Sequence, residues 1–294
     1  MRPVGRIVES LVTGLTLGSL YALISIGMTM VYGLLKILHV AHAAIYVLGA
    51  FLGFVVYAQT GNIWLAFPVA MVGCALVGYL VYIWIYQRVQ DSKPLIPLII
   101  SIGLFIAMGD IFRLIAGPYS LSYRHQFAFS GIQAGLFRVT AHQLLVIGSA
   151  IVLLGIVWWM VNKTKTGLAW KASAQDREVA MGLGVKVNYY FGLNFIFGSA
   201  LAGVAGVLVG IYYGQVNPIM GDIWSYKVFV VMVLGGLGNV LGTVIASYFL
   251  GLAETFIITF FGYFLPRDSI AFILMILVLI FLPSGVMGRR QAGQ

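Results

Sequence analysis

Ionisable side chains are scarce in this chain, so each one set in an apolar run invites a chemical reading. Glu254 stands in the apolar stretch from about 240 to 262, and Lys227 opens the one before it. Charges at such depth are costly and mark pathways, relays or mutual pairs. Two uses are open to these two residues: a polar contact at a helix–helix seam, or a pair of groups facing a translocation path. His39 and His42 lie three apart, between apolar runs and close to Lys36. They read as turn histidines solvated at an interface, as lining of a pathway, or as half of a metal site that lacks a third ligand in view. Asp110 and Arg113, also three apart, can pair on one helix face.

Groups for bond-making chemistry are missing. The sequence holds no H-E-x-x-H and no nucleophile set beside a base. Gly236-Leu-Gly238-Asn239 lacks the G-x-G-x-x-G spacing of a dinucleotide loop, and no G-x-x-x-x-G-K-[ST] occurs. ATP hydrolysis by a P-loop is therefore excluded. The chain reads as a non-enzyme, with no catalytic residue, no cofactor and no metal. A glycine break within an apolar run instead exposes backbone groups toward a cavity, as broken helices do in transporters. Gly236 and Asn239 join His39, His42, Lys227 and Glu254 as candidate pathway residues.

The elements that must position these groups follow from composition. Of 294 residues, 61% are hydrophobic and 9% charged, where a soluble domain carries about 25% charged residues. The chain cannot cover itself with polar surface. It reads as an all-α, polytopic transmembrane bundle forming a single domain over 1–294. At about 20 apolar residues per span it holds eight or nine. They run about 8–32, 43–59, 63–87, 94–116, 141–162, 188–213, a glycine-broken run near 227–239, 240–262 and 266–283. The first is too long for a cleaved signal peptide. The net charge of +9 is dispersed at span ends, where topology explains it, and it does not indicate nucleic acid. The single cysteine, Cys74, excludes an internal disulfide. Gly198, Ala202, Gly206 and Gly210 step by four, a small-residue ladder that lets helices approach closely. Residues 117–140 alternate apolar and polar and read as a hairpin or interfacial segment.

Residues 163–187 are the longest water-soluble stretch. Lys163, Lys165, Lys171, Arg177 and Lys186 face only Asp176 and Glu178, which places the stretch in the cytoplasm. Thr166 can cap a helix there and Gly182 or Gly184 can end it. Leu168, Ala172, Val179 and Leu183 recur at helical spacing, a face that needs something to press on. The alternative is a solvated loop whose charges only set topology. Counting five spans back puts the N-terminus outside, with the turn at Lys36 and the link Arg88–Lys93 inside. Arg289-Arg290 also falls inside, whereas Arg2 and Arg6 fall outside against the charge rule. One crossing plus a re-entrant piece within 8–59 would reverse the N-terminus.

The wording of that stretch carries more. Lys171-Ala172-x-Ala174-x-Asp176-x-x-x-Ala180-x-x-x-Gly184-Val185 resembles the cytoplasmic coupling motif of the ABC permeases that import branched-chain amino acids, with Lys171 and Val185 where that family has Arg and often Ile. The resemblance extends along the chain. Gly14-Leu-Thr-Leu-Gly18-Ser-Leu-Tyr21-Ala22, then Gly27-Met-Thr-Met-Val-Tyr32-Gly33, looks like the opening of the H-type permease. Ala200-Leu-Ala202-Gly203-Val-Ala205-Gly206, Asn217-Pro218, Gly235-Gly236-Leu-Gly238-Asn239 and Leu250-Gly251-Leu-Ala253-Glu254 match its second half in order and spacing. One departure stands out: the family's Asn-Phe-Ala-His-Gly is here His39-Val-Ala41-His42-Ala43. The resemblance implies a multi-pass cell (inner) membrane permease for branched-chain or other small amino acids. It implies as partners a second homologous permease subunit, two cytoplasmic ATPase subunits, an extracytoplasmic solute-binding protein and the lipid bilayer. Lys171, Ala172, Ala174, Asp176, Ala180, Gly184 and Val185 are then the ATPase-coupling residues. The competing reading is a stand-alone secondary transporter or channel for a small polar solute, using Glu254, Lys227 or His42 as coupling groups.

Overall fold

The computed structural model describes residues 3–123, 125, 127, 129, 131–134, 137–262, 266–282 and 284–287. Its helices are α1 (Pro3–Leu35), α2 (His42–Thr60), α3 (Ile63–Val81), which continues through a π-helical turn (Tyr82–Tyr86) into α4 (Gln87–Val89), then α5 (Leu95–Ala116), α6 (Ala141–Lys163), α7 (Lys165–Gln175), α8 (Arg177–Gly182), α9 (Val187–Tyr213), α10 (Met220–Gly235), α11 (Val240–Phe261) and α12 (Arg267–Phe281). Four short strands complete it: β1 (Leu121–Ser122), β2 (Gly131–Ala134), β3 (Phe137–Thr140) and β4 (Gln215–Val216). Among the described residues, seven helices are long and apolar enough to cross a membrane, with Asp268–Phe281 a shorter apolar helix and α10 only 16 residues long. The eight or nine crossings expected are thus seven full lengths and two short ones.

Two helices form the interior. The most apolar windows of α1 and α9 are each 78% buried, against 22% for α5 and α6, so α1 and α9 are the axis and α5 and α6 the rim. Small residues make this possible. Along α1, Ser10 meets Thr259, Ser19 meets Tyr248 and Thr29 meets Thr243, at 3.0, 3.1 and 2.9 Å. The order is antiparallel, and the hydroxyls satisfy each other across the seam. The ladder on α9 faces several neighbours. A Cβ on Gly198 would lie 3.2 Å from the Gly27 carbonyl oxygen of α1, and one on Gly210 would lie 2.8 Å from the Tyr123 ring. Ala202 is fully buried between them. Gly203, not read from the sequence as part of the ladder, backs onto Cys74 of α3. Gly49 of α2 gives a test of this packing, since a Cβ there would lie 2.5 Å from the Gly203 Cα. Backbone against backbone cannot yield, so Gly49→Leu is expected to lower stability by about 1–3 kcal/mol. A drop in the midpoint of thermal aggregation in detergent would show it, and an unchanged midpoint would contradict this packing.

The chain breaks twice inside the bundle. α1 ends at Lys36, whose φ is 56, and residues 37–41 turn back so that His42 lies against Gly27, well inside the end of α1. At the other end α9 stops at Gly214 (φ 67) and β4 pairs antiparallel with β1, Leu121 opposite Val216. α10 then starts level with Val47 of α2 and Phe105 of α5, which is why it is short. Within 117–140, read from the sequence as a hairpin or interfacial segment, β2 and β3 pair antiparallel, Gly131 opposite Thr140.

The ends of the bundle sort cleanly. Arg177 bonds Asp91, Gly33 lies against Gly238, and Val286 donates to the Leu234 carbonyl at 2.8 Å. The turn after α1, the α4–α5 link, α7–α8 and the α10–α11 link therefore share one end. The start of α1 lies at the opposite end, beside the close of α11. α1 and α2 are two complete helices, and only the turn between them re-enters. Arg2 and Arg289-Arg290, used in counting charges, lie outside the described residues.

Candidate functional site

The stretch 163–187 is two helices with an elbow, not the single helix expected. Its cap is Thr164 rather than Thr166: the Thr164 hydroxyl accepts from the Gly167 N–H at 3.2 Å. α7 ends where Asp176 turns extended, with φ −151. The Asp176 carboxylate then accepts the Val179 N–H at 3.0 Å, capping α8. Gly184 (φ 85) closes α8 in the left-handed conformation, and the Val185 N–H reaches back to the Ala180 carbonyl at 3.0 Å. Asp176 and Gly184 are thus the residues the backbone demands at an elbow and a stop.

The faces of the segment also differ from expectation. Ala180 is buried, packed in a cluster with Tyr82, Tyr86, Val187 and Phe191, with Ala172 and Val185 at its edge. Lys171 and Asp176 are exposed and Ala174 is half-buried. Leu168 and Leu183 instead point outward, 69% and 76% exposed, as do Val179 and Met181. Ala172 does not share a face with them.

Three anchors fix this segment to the bundle. The Trp170 indole N–H donates to the Tyr190 carbonyl of α9 at 2.8 Å. Lys171 Nζ donates to Asn162 Oδ1 of α6 at 2.8 Å. Arg177 bonds Asp91 while its guanidinium lies over the Phe191 ring, 5.7 Å from its centroid. The segment is therefore tied to α6, to α9 and to the α4–α5 link. Trp170 and Asp91 escaped the sequence reading; the one signal was a large aromatic placed in an otherwise polar run.

The two histidines are interior residues rather than solvated turn groups, 0% and 1% exposed. His39 Nδ1 lies 2.7 Å from the Tyr86 hydroxyl, and its ring packs on Phe195. The Ala41 N–H, freed by the break, donates to Ser101 Oγ at 3.0 Å. The re-entrant turn is thus tied to α4's approach, to α5 and to α9 at once. Ser101→Ala removes the acceptor of a buried N–H and is expected to cost about 1–3 kcal/mol, read as a lower detergent melting midpoint; Ser101→Thr should retain it.

Lys227 and Glu254 meet. Lys227 Nζ lies 3.0 and 3.1 Å from the two Glu254 carboxylate oxygens and 3.1 Å from the Tyr21 hydroxyl. Tyr21 donates to Glu254 Oε2 at 2.7 Å. Asp268, in the first turn of α12, approaches the ammonium at 3.4 Å. Lys227 and Glu254 are 3% and 0% exposed. Four groups from α1, α10, α11 and α12 thus balance one another at the seam.

Two cavities flank this core. A small one of about 100 Å³ sits between α2, α5 and the start of α10, lined by Ala44, Val47, Phe105 and Gly221, with Asp110 and Arg113 paired at 3.1 Å beside it. A large open cleft of about 1520 Å³ lies between α1, α6, α11 and α12 and opens at the α7 end; Asn239, Lys171 and Ala174 line it. Asn239 caps α11 through the Gly242 N–H at 3.0 Å and donates to the Met287 carbonyl at 2.7 Å. Gly236 (φ 100) supplies the turn that ends α10. His39, His42, Lys227 and Glu254 line neither cavity.

Residues 10–282 match the family model described as branched-chain amino acid transport system / permease component. The chain is 33% identical, over 96% of both chains, to the high-affinity branched-chain amino acid transport system permease protein BraD of Pseudomonas aeruginosa. It is 32% identical, again over 96% of both chains, to the corresponding protein LivH of Escherichia coli. It is also 22% identical to the permease protein LivM of Escherichia coli, covering 92% of this chain and 68% of that one. With seven membrane-length helices built around two buried axes, and with this match over almost its whole length, the chain belongs to the family of branched-chain amino acid transport permease components.

Proposed function

We propose that this chain is one permease subunit of an ATP-driven importer of branched-chain or other small amino acids. In this reading α7–α8 is the handle gripped by a cytoplasmic ATPase subunit. Two ATPases, a second homologous permease and an extracytoplasmic solute-binding protein complete the machine. The observation that carries the reading is the outward apolar set Leu168, Val179, Met181 and Leu183 on a segment outside the membrane-length helices. Exposed apolar side chains gathered on one short segment mark an interaction surface. The likeness to LivM supports pairing with a homologous subunit, since one protein of Escherichia coli described as a permease of the same kind of system aligns over most of this chain.

Mechanistically, closure of the ATPases displaces the handle, and Trp170 and Lys171 pass the displacement to α9 and α6. α9 carries the motion to α1 and α2 through glycine contacts that permit sliding without side-chain obstruction. The breaks at His39–His42 and at Gly214–Met220 are the points where the path changes access. Reconstitution tests this: leucine uptake should need ATP, both permeases, the ATPases and the binding protein together. Uptake by this chain alone would contradict it. Within that assay Trp170→Phe, which keeps the ring but removes the N–H, is expected to lower uptake per ATP hydrolysed several-fold while leaving hydrolysis in place.

A further inference from the structure

The large cleft reaches from the handle at Lys171 and Ala174 past Lys36 and Asn239 into the bundle. Its volume of about 1520 Å³ exceeds the roughly 300–1,000 Å³ of small-molecule pockets. Its character changes along its length. The walls are largely apolar, with Leu154 and Trp158 on α6 and Leu279 on α12 among the lining residues. The mouth, at the α7 end, carries Lys36, Lys171 and Asn162. None of the described residues lining the cleft is acidic. An apolar trough with a cationic, amide-bearing mouth complements an anionic amphiphile lying along the bundle with its head at the α7 end.

Lys36 strengthens the case. It is the sole residue other than glycine with positive φ among the described residues. It stands where a helix end ordinarily takes glycine. The chain therefore holds a long cationic side chain at a position whose backbone disfavours one, and its ammonium lies 6.0 Å from the Tyr32 ring centroid at the cleft wall. Lys171 is turned the same way, toward Asn162 and the cleft rather than toward the exposed apolar set of α7–α8.

We propose that this cleft seats an anionic phospholipid of the leaflet next to α7, its phosphate held between Lys36 and Lys171 and an acyl chain laid along Trp158. Basic pockets between membrane helices take such headgroups. The inference does not depend on the import reading, because it concerns the purified chain alone.

The test uses full-length chain in detergent, titrated with phosphatidylglycerol or with phosphatidylcholine, each brominated on the acyl chains. Quenching of tryptophan emission, with Trp158→Phe as reference, reports occupancy of this cleft. Phosphatidylglycerol is expected to bind the more tightly. Lys36→Gln with Lys171→Gln should weaken it about 25-fold, at about fivefold per lysine near a membrane surface, while phosphatidylcholine is unaffected. Lys36→Gly separates charge from folding: it relieves the backbone, so the melting midpoint should hold or rise while the phosphatidylglycerol preference falls about fivefold. Equal quenching by both lipids, or a preference that survives the double glutamine variant, would overturn the proposal. So would a Trp158→Cys variant that cross-links in high yield to the second permease subunit in native membranes, since protein would then fill the cleft.

Discussion

Placing aspartate at both Val179 and Leu183 is expected to abolish ATP-driven uptake while leaving the chain inserted and folded. Both side chains are exposed, 58% and 76%, so neither substitution opens a cavity or buries a charge within the subunit. Their effect falls on the surface that a partner would cover. Central apolar residues of an interface cost about 2 kcal/mol or more each when lost, about 30-fold in affinity. The double variant should therefore lose roughly 1,000-fold in affinity for the ATPase subunit. Co-purification of the ATPase with the tagged chain measures this directly. Ala180 provides the contrast. A bulky residue there pushes into Tyr86 and Phe191, so Ala180→Leu should lower the melting midpoint and weaken coupling only by misplacing α8. Asp176→Lys removes the cap of α8 and should likewise loosen the elbow before it touches any partner.

Removing one member of the buried ion pair is expected to have the largest effect on stability, with a definite order among variants. Lys227→Met takes the ammonium from the Glu254 carboxylate, leaving that charge facing the Tyr21 hydroxyl with Asp268 close by. Breaking such a pair costs about 3–5 kcal/mol, a large part of the 5–15 kcal/mol that holds an ordinary domain together. Glu254→Gln should be milder, because Asp268 already approaches Lys227 at 3.4 Å and remains to balance it. Lys227→Met combined with Glu254→Met should recover most of the loss, since well-packed apolar replacements of buried pairs are often neutral. Yield of monodisperse protein and the melting midpoint rank the variants. If the double variant is no better than Lys227→Met, apolar packing does not replace the pair at this seam, and if it recovers, its uptake can be measured. Uptake by the recovered double variant then separates the two uses that the sequence leaves open.

Much of the architecture is legible in the residue order because burial in lipid imposes a coarse code. Long apolar runs give the spans, and the four-step ladder on α9 gives the axis of the bundle. The coupling motif reads correctly as a surface segment, yet its inner geometry does not. Thr164 and Thr166 both fit a cap, and choosing between them depends on where α6 ends. Asp176 looks like a charge on a helix face, but it is the cap of a second helix, which only the backbone geometry of the elbow reveals. Ala172 and Leu183 recur at helical spacing and read as one face. The break at Asp176 separates them, leaving Ala172 at the edge of the buried cluster and Leu183 outward. The pairing of Lys227 with Glu254 depends on helices separated by a loop, and one-dimensional spacing carries no distance across such a gap. His39 and His42 stand in a polar-flanked turn that reads as solvated, and the re-entry that buries them rests on contacts with Gly27, Tyr86 and Ser101 from distant segments.

The account depends above all on α7–α8 being the surface that a nucleotide-hydrolysing partner holds. A single cysteine at Leu183, in a chain whose Cys74 is replaced by alanine, tests this in native membranes with a short bifunctional thiol-to-amine reagent. The expected result is one dominant adduct containing this chain and an ATPase subunit, formed in high yield and lost when Val179 is also changed to aspartate. An adduct only with an extracytoplasmic protein, or labelling of Leu183→Cys by an impermeant thiol reagent from outside intact cells, would contradict it.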